Sequence, residues 1–62
     1  MYEKYVRIRN ERGVRDADVA KATGIPAPTF SDWKKGRSEP KGEKLYKIAT
    51  YFGVPMEYFY KE

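Results

Sequence analysis

Six cations, Lys34, Lys35, Arg37, Lys41, Lys44 and Lys47, fall within fourteen residues, opposed only by Glu39 and Glu43. That stretch carries a formal charge of +4, the whole excess of the chain, because the remainder holds seven basic and seven acidic residues. Beside a helix that enters a groove, such a track would meet phosphates. Taken alone it equally fits a solvated face with no partner. Catalytic chemistry is poorly served. There is no Cys and no His, and the Asp and Glu residues read as scattered over exposed helix faces with no convergent nucleophile or base, which argues against an enzyme. The usual zinc sites and any disulfide are excluded. No cofactor, metal or small-molecule substrate is expected.

The elements that must position the track lie just before it. Residues 16–36, DADVAKATGIPAPTFSDWKKG, read as two short helices joined by a tight turn. Val19 and Ala20 form one apolar set, Gly24 breaks the helix, Ile25 anchors the turn, and Phe30 and Trp33 form a second apolar set. Two apolar stripes separated by a Gly-containing bend predict a helix-turn-helix. The second helix of such a unit can enter a DNA major groove.

The remaining chain supplies a scaffold. Residues 2–12 predict a first helix with Tyr2, Tyr5 and Ile8 inward, ended by Gly13. Helix 2 is expected over 16–23, with Asp16 and Asp18 in its first turn. Pro28 is tolerated in a first turn but biases Ala27 away from helical geometry, so helix 3 is expected over about 28–35. Leu45, Ile48, Ala49 and Phe52 give a clean amphipathic stripe for helix 4 over about 42–52. Val54 should be buried in the connection, and Pro55 should start a fifth helix with Met56 and Phe59 inward. No segment alternates long enough for a strand. The class is all-α with five short helices.

At 62 residues the chain is one domain at most, and its core is modest. The lack of Cys fits a cytoplasmic protein. No apolar run approaches the roughly 20 residues of a membrane span, and no signal peptide is visible, so no membrane partner is expected. A complete small regulator and the N-terminal domain of a longer one both fit this length.

The ordered set IRNERGV (Ile8–Val14), DVAKATGI (Asp18–Ile25), TFSDWKKG (Thr29–Gly36) and LYKIATYFGV (Leu45–Val54) resembles the lambda-repressor-like domains of the Cro and XRE family of helix-turn-helix regulators. The resemblance covers nearly the whole chain. It implies five packed helices, a third helix that reads the major groove of a double-stranded DNA operator, and a homodimer on a two-fold site. It also places base contacts at Ala27, Pro28, Thr29, Ser31 and Asp32. Ala27, Pro28 and the Thr29 methyl can touch a thymine methyl, and Asp32 can accept from a cytosine amino group. Asp32 could equally repel phosphate. Lys35 and Arg37, flanking Gly36, match positions that commonly contact the backbone, and Lys41 and Lys44 extend that track. Phe30 and Trp33 read as core rather than as stacking platforms. Tyr58 and Tyr60, expected to straddle an inward Phe59, are candidates for a dimer face.

Three features depart from the family pattern. The family often has Gln, Ser or Asn at the start of helix 3, where Ala27, Pro28 and Thr29 stand, and the Ala and Pro side chains cannot donate. Asp16 stands where Gln often grips a phosphate; a helix cap or a dipole partner is the expected role. Lys34 stands where Glu often pairs with the match of Arg9. Either Arg9 finds another carboxylate or both cations are freed, and a phosphate role is expected for Lys34. The leading reading is a sequence-specific DNA-binding regulator, with repression implied by the resemblance. The alternative is a protein-interaction module, an antitoxin or anti-repressor partner, with weak DNA binding.

Overall fold

The structure is a computed structural model and describes residues 1–60. Four α-helices, α1 (Tyr2–Arg12), α2 (Asp16–Thr23), α3 (Ala27–Lys35) and α4 (Gly42–Phe52), are followed by a single 3₁₀ turn, Met56–Phe59. Among the described residues all regular structure is helical. The expected bounds of α1, α2 and α4 hold. The fifth helix shortens to the 3₁₀ turn, which still buries Phe59. Val54, expected buried, is only partly so, and it packs against the core from the edge.

The helix ends explain why the chain punctuates itself where it does. The Gly36 amide bonds to the Trp33 carbonyl at 3.1 Å and the Arg37 amide to the Asp32 carbonyl at 2.9 Å. This is a Schellman closure, and it needs the left-handed backbone that Gly36 adopts at φ 76°. The same closure follows α1 and α4, where the next residues are Val14 and Val54. Those two valines pack against the core, whereas Arg37 in the same place is exposed. The chain therefore turns inward after α1 and α4 but runs outward after α3.

Helix α3 starts one residue earlier than expected. The Pro26 carbonyl accepts the Thr29 amide at 3.0 Å, and Ala27 and Pro28 fill the first two helical positions. The clash that Pro28 imposes on its predecessor is offset here by that first-turn bond and by the fixed φ of both prolines. The missing N–H of Pro28 is one that the first turn leaves unpaired anyway.

The core is built around one ring. Tyr5 is fully buried. Its ring centroid lies 5.6 Å from Phe30, 4.8 Å from Trp33 and 6.2 Å from Phe52. Aromatic pairs at these separations add to simple area burial. They also fix the rear of α3 against α1 and α4. Tyr2, half-buried, closes the outer side with its ring 5.4 Å from Trp33.

Candidate nucleic-acid interface

Helix α3 is divided cleanly into a rear and a front. Phe30 and Trp33 are its only buried residues. Ala27, Pro28, Ser31, Lys34 and Lys35 are exposed, and Thr29 and Asp32 sit half-buried at the flank. The exposed set follows i, i+1, i+4, i+7 and i+8, which is one continuous helical face. It begins with two side chains that have no donor and ends with two ammonium groups.

The two helix starts in the motif differ in charge. The first turn of α3 holds no acidic residue, while that of α2 holds Asp16 and Asp18. Arg15 is the N-cap residue, and Asp18, at the third helical position, reaches back so that its Oδ2 accepts the Arg15 backbone N–H at 2.9 Å. Asp16, expected as a cap or a dipole partner, keeps its place in the first turn of α2 but makes no cap bond and turns back toward α1. Its Oδ1 accepts the Tyr5 hydroxyl at 2.6 Å and Arg9 Nη1 at 2.7 Å. Distance along the chain hid this contact, since Asp16 lies eleven residues beyond Tyr5 and seven beyond Arg9. Burial, and then the bond to Asp16, push the Tyr5 phenol well above its ordinary range. Arg9's own bond to Asp16 raises that guanidinium, already a permanent cation, further.

Arg9 has thus found another carboxylate, and Lys34 is left on the surface. Among the described residues the ion pairs are Arg9–Asp16 and Arg37–Asp32, so Lys34 shares none. The second pair, at 3.9 Å between an exposed Arg37 and a half-buried Asp32, is long and weak and leaves Arg37 available to a stronger anion. Not every acidic residue is fully exposed, as the even scatter had suggested: Asp16 is half-buried.

Beside α3 the loop over residues 36–41 is pinned by Pro40, which is fully buried. Thr29, Asp32, Lys41 and Lys44 come together around one open cleft, with Glu39 and Glu43 also on its wall. Lys35 and Arg37 lie outside it, at the end of α3 and just beyond. The candidate base-contact and phosphate-contact residues therefore form one neighbourhood: a helix front, its C-terminal cations and the rim of α4.

The helix-turn-helix family matches residues 7–59, which include all three of these regions. The chain belongs to the helix-turn-helix family. Within it, the match is of the Cro and XRE type. A similar protein is the HTH-type transcriptional regulator DdrOP3 of Deinococcus deserti, 38% identical over 54 residues, covering 87% of this chain and 42% of that protein. Another is the cryptic phage CTXphi transcriptional repressor RstR of Vibrio cholerae, 33% identical over 57 residues, covering 90% of this chain and 51% of that one. The chain thus spans about half the length, or less, of these curated relatives. No solved structure gives a significant match.

Outside the helix-turn-helix unit, aromatic residues mark the other surfaces. Tyr60 is exposed; Tyr58 is half-buried, with Lys4 Nζ 5.4 Å from its ring centroid. Tyr46 and Tyr51 are exposed on the outer side of α4, where they line a shallow groove with Ala22 and Thr23 of α2. No described helix is long and apolar enough to cross a membrane.

Proposed function

We propose that this chain is a sequence-specific double-stranded DNA-binding domain of a transcription regulator, with α3 lying in the major groove. The observation that carries the reading is the division of α3. Its rear is locked by Phe30 and Trp33, and its exposed front runs from Ala27 and Pro28 to Lys34 and Lys35. A helix held by its back and presented by its front is what groove entry requires. Ala27 and Pro28 approach thymine methyls, Thr29 and Ser31 offer hydroxyls, and Asp32 accepts from a cytosine amino group. Lys34, Lys35, Arg37, Lys41 and Lys44 hold phosphates and fix register without reading sequence. The open start of α3 and the acidic start of α2 favour a duplex seated toward the α3 side. Occupancy of an operator would then repress by excluding polymerase, in keeping with the similar phage protein RstR being a transcriptional repressor.

A homodimer through Tyr58 and Tyr60 suits two-fold operators. Selection from a random duplex library at near-physiological salt tests the whole reading. An enriched two-fold motif supports a dimer that reads sequence, and its half-site spacing gives the dimer geometry. No enrichment overturns sequence reading by this chain alone. The second reading, a protein-interaction module, is favoured by one observation: Tyr46, Tyr51 and Tyr60 stand exposed on a chain this small. It predicts tight, salt-insensitive binding to a protein and weak binding to duplexes.

A further inference from the structure

We propose that Asp16 is a positioning residue for α3, acting through Tyr5. The inference deepens the reading of α3 as the duplex-facing helix. Asp16 is the first residue of α2, and Tyr5 belongs to α1. Yet the Tyr5 ring is the surface on which both buried residues of α3 rest, with Phe30 stacked at 5.6 Å and Trp33 at 4.8 Å. The ring is held at both ends. Its Cβ is carried by α1, and its hydroxyl is fixed on Oδ1 of Asp16 at 2.6 Å. A ring anchored only at Cβ could tilt within its pocket, and α3 would tilt with it.

Arg9 makes this anchor tolerable. Its guanidinium bonds to the same oxygen, Oδ1, at 2.7 Å and lies 5.7 Å from the Tyr5 ring centroid. The carboxylate is thereby neutralised where it is half-buried, as a paired charge must be. Two side chains of α1, Tyr5 and Arg9, thus converge on one oxygen of Asp16 in α2 and through the Tyr5 ring determine the height of a third helix. Base contacts need placement to about half an ångström. Phosphate contacts by long Lys side chains do not, because their flexible stems take up the difference. Loss of the anchor should therefore erode sequence discrimination and spare general affinity.

The test compares Tyr5→Phe, Asp16→Ala and Asp16→Asn in the 62-residue chain. Binding is measured to the duplex enriched by selection and to a scrambled duplex of the same length. Tyr5→Phe keeps the ring and removes only its anchor. We expect the variant to fold, with the ratio of the two affinities falling about tenfold, the scale of one hydrogen bond to a charged group. The scrambled duplex should bind as before, with an unchanged salt slope. Asp16→Asn retains an acceptor for the hydroxyl and should keep most of the discrimination; Asp16→Ala should lose it. A Tyr5→Phe variant that melts earlier but discriminates equally well overturns the proposal. So does tighter binding to both duplexes in Asp16→Asn and Asp16→Ala alike, which would mean that Asp16 acts by repelling phosphate.

Amide chemical shifts without DNA give a second measurement. In Tyr5→Phe, the amides of Ser31, Lys34 and Lys35 on the far side of α3 should move. Changes confined to α1 and α2 overturn the proposal. If the wild-type chain prefers no duplex, the DNA reading fails by itself, and the α3 amides alone decide whether Tyr5 and Asp16 position that helix.

Discussion

The Tyr5 hydroxyl lies 2.6 Å from Oδ1 of Asp16, closing eleven residues of chain with one hydrogen bond across the corner between α1 and α2. Neither residue belongs to α3, yet the ring of one is the bed of that helix. The exposed face of α3, proposed above to meet the duplex, is thus supported from behind by a contact between two other helices.

Alkaline pH should unfold the domain partly through Tyr5. An unfolded tyrosine ionises near pH 10, whereas folded Tyr5 is held protonated well above that by burial and by Asp16. Above about pH 10 the unfolded state therefore binds fewer protons, and stability falls as pH rises, by up to about 1.4 kcal/mol per unit from this group. Below pH 10 its contribution is complete. Urea melts between pH 9 and pH 11 should show a steeper loss for wild type than for Tyr5→Phe; parallel curves would remove Tyr5 from the account.

Gly36→Ala should lower stability by about 1–2 kcal/mol without touching packing. A Cβ at Gly36 would meet nothing within 4 Å, so the cost comes from the backbone at φ 76°. Thermal melts followed by circular dichroism check this. A loss well beyond that range would mean that the end of α3 is held by contacts the backbone does not reveal.

Lys35→Ala and Arg37→Ala should weaken binding to every duplex alike, each reducing the magnitude of the salt slope by about one phosphate's worth. Titrations across a salt series separate this from base reading, which would appear as a loss confined to one sequence.

Asp32→Ala should relax preference at one base pair, worth about 1–3 kcal/mol of discrimination. It also releases Arg37 from its long 3.9 Å contact, so affinity for unrelated duplexes should rise slightly. A repeat of the library selection with the variant reads both effects. An unchanged motif would return Asp32 to a solvent-facing role.

Much of this architecture is legible in the sequence because its punctuation is local. Gly13, Gly24 and Gly53 sit just past the last residues of α1, α2 and α4, and a left-handed cap depends only on the few residues around it. The inward faces of α3 and α4 follow from spacing alone. The start of α3 was less legible, because the steric bias of Pro28 on Ala27 competes with a bond from the Pro26 carbonyl that sequence does not display. The end of the chain was less legible still. One turn is enough to bury Phe59, so nothing drives a longer helix. The Asp16 contact could not be read from spacing at all, since it depends on how α1 crosses α2. Its one signal was compositional: an acidic residue where phosphate grip was expected, and an Arg9 whose usual partner had become Lys34.

The left-handed glycines leave α3 only nine residues long. At 1.5 Å per residue that is about 13 Å, a reach of about four base pairs along a duplex. With four distinguishable pairs at each step, one such helix selects about one site in 256. A genome offers about a million competing positions or more. The information needed for an address exceeds what this helix can hold, so a regulator built on it must multiply its choices, by a second copy at a fixed spacing or by further reading elsewhere on the same molecule.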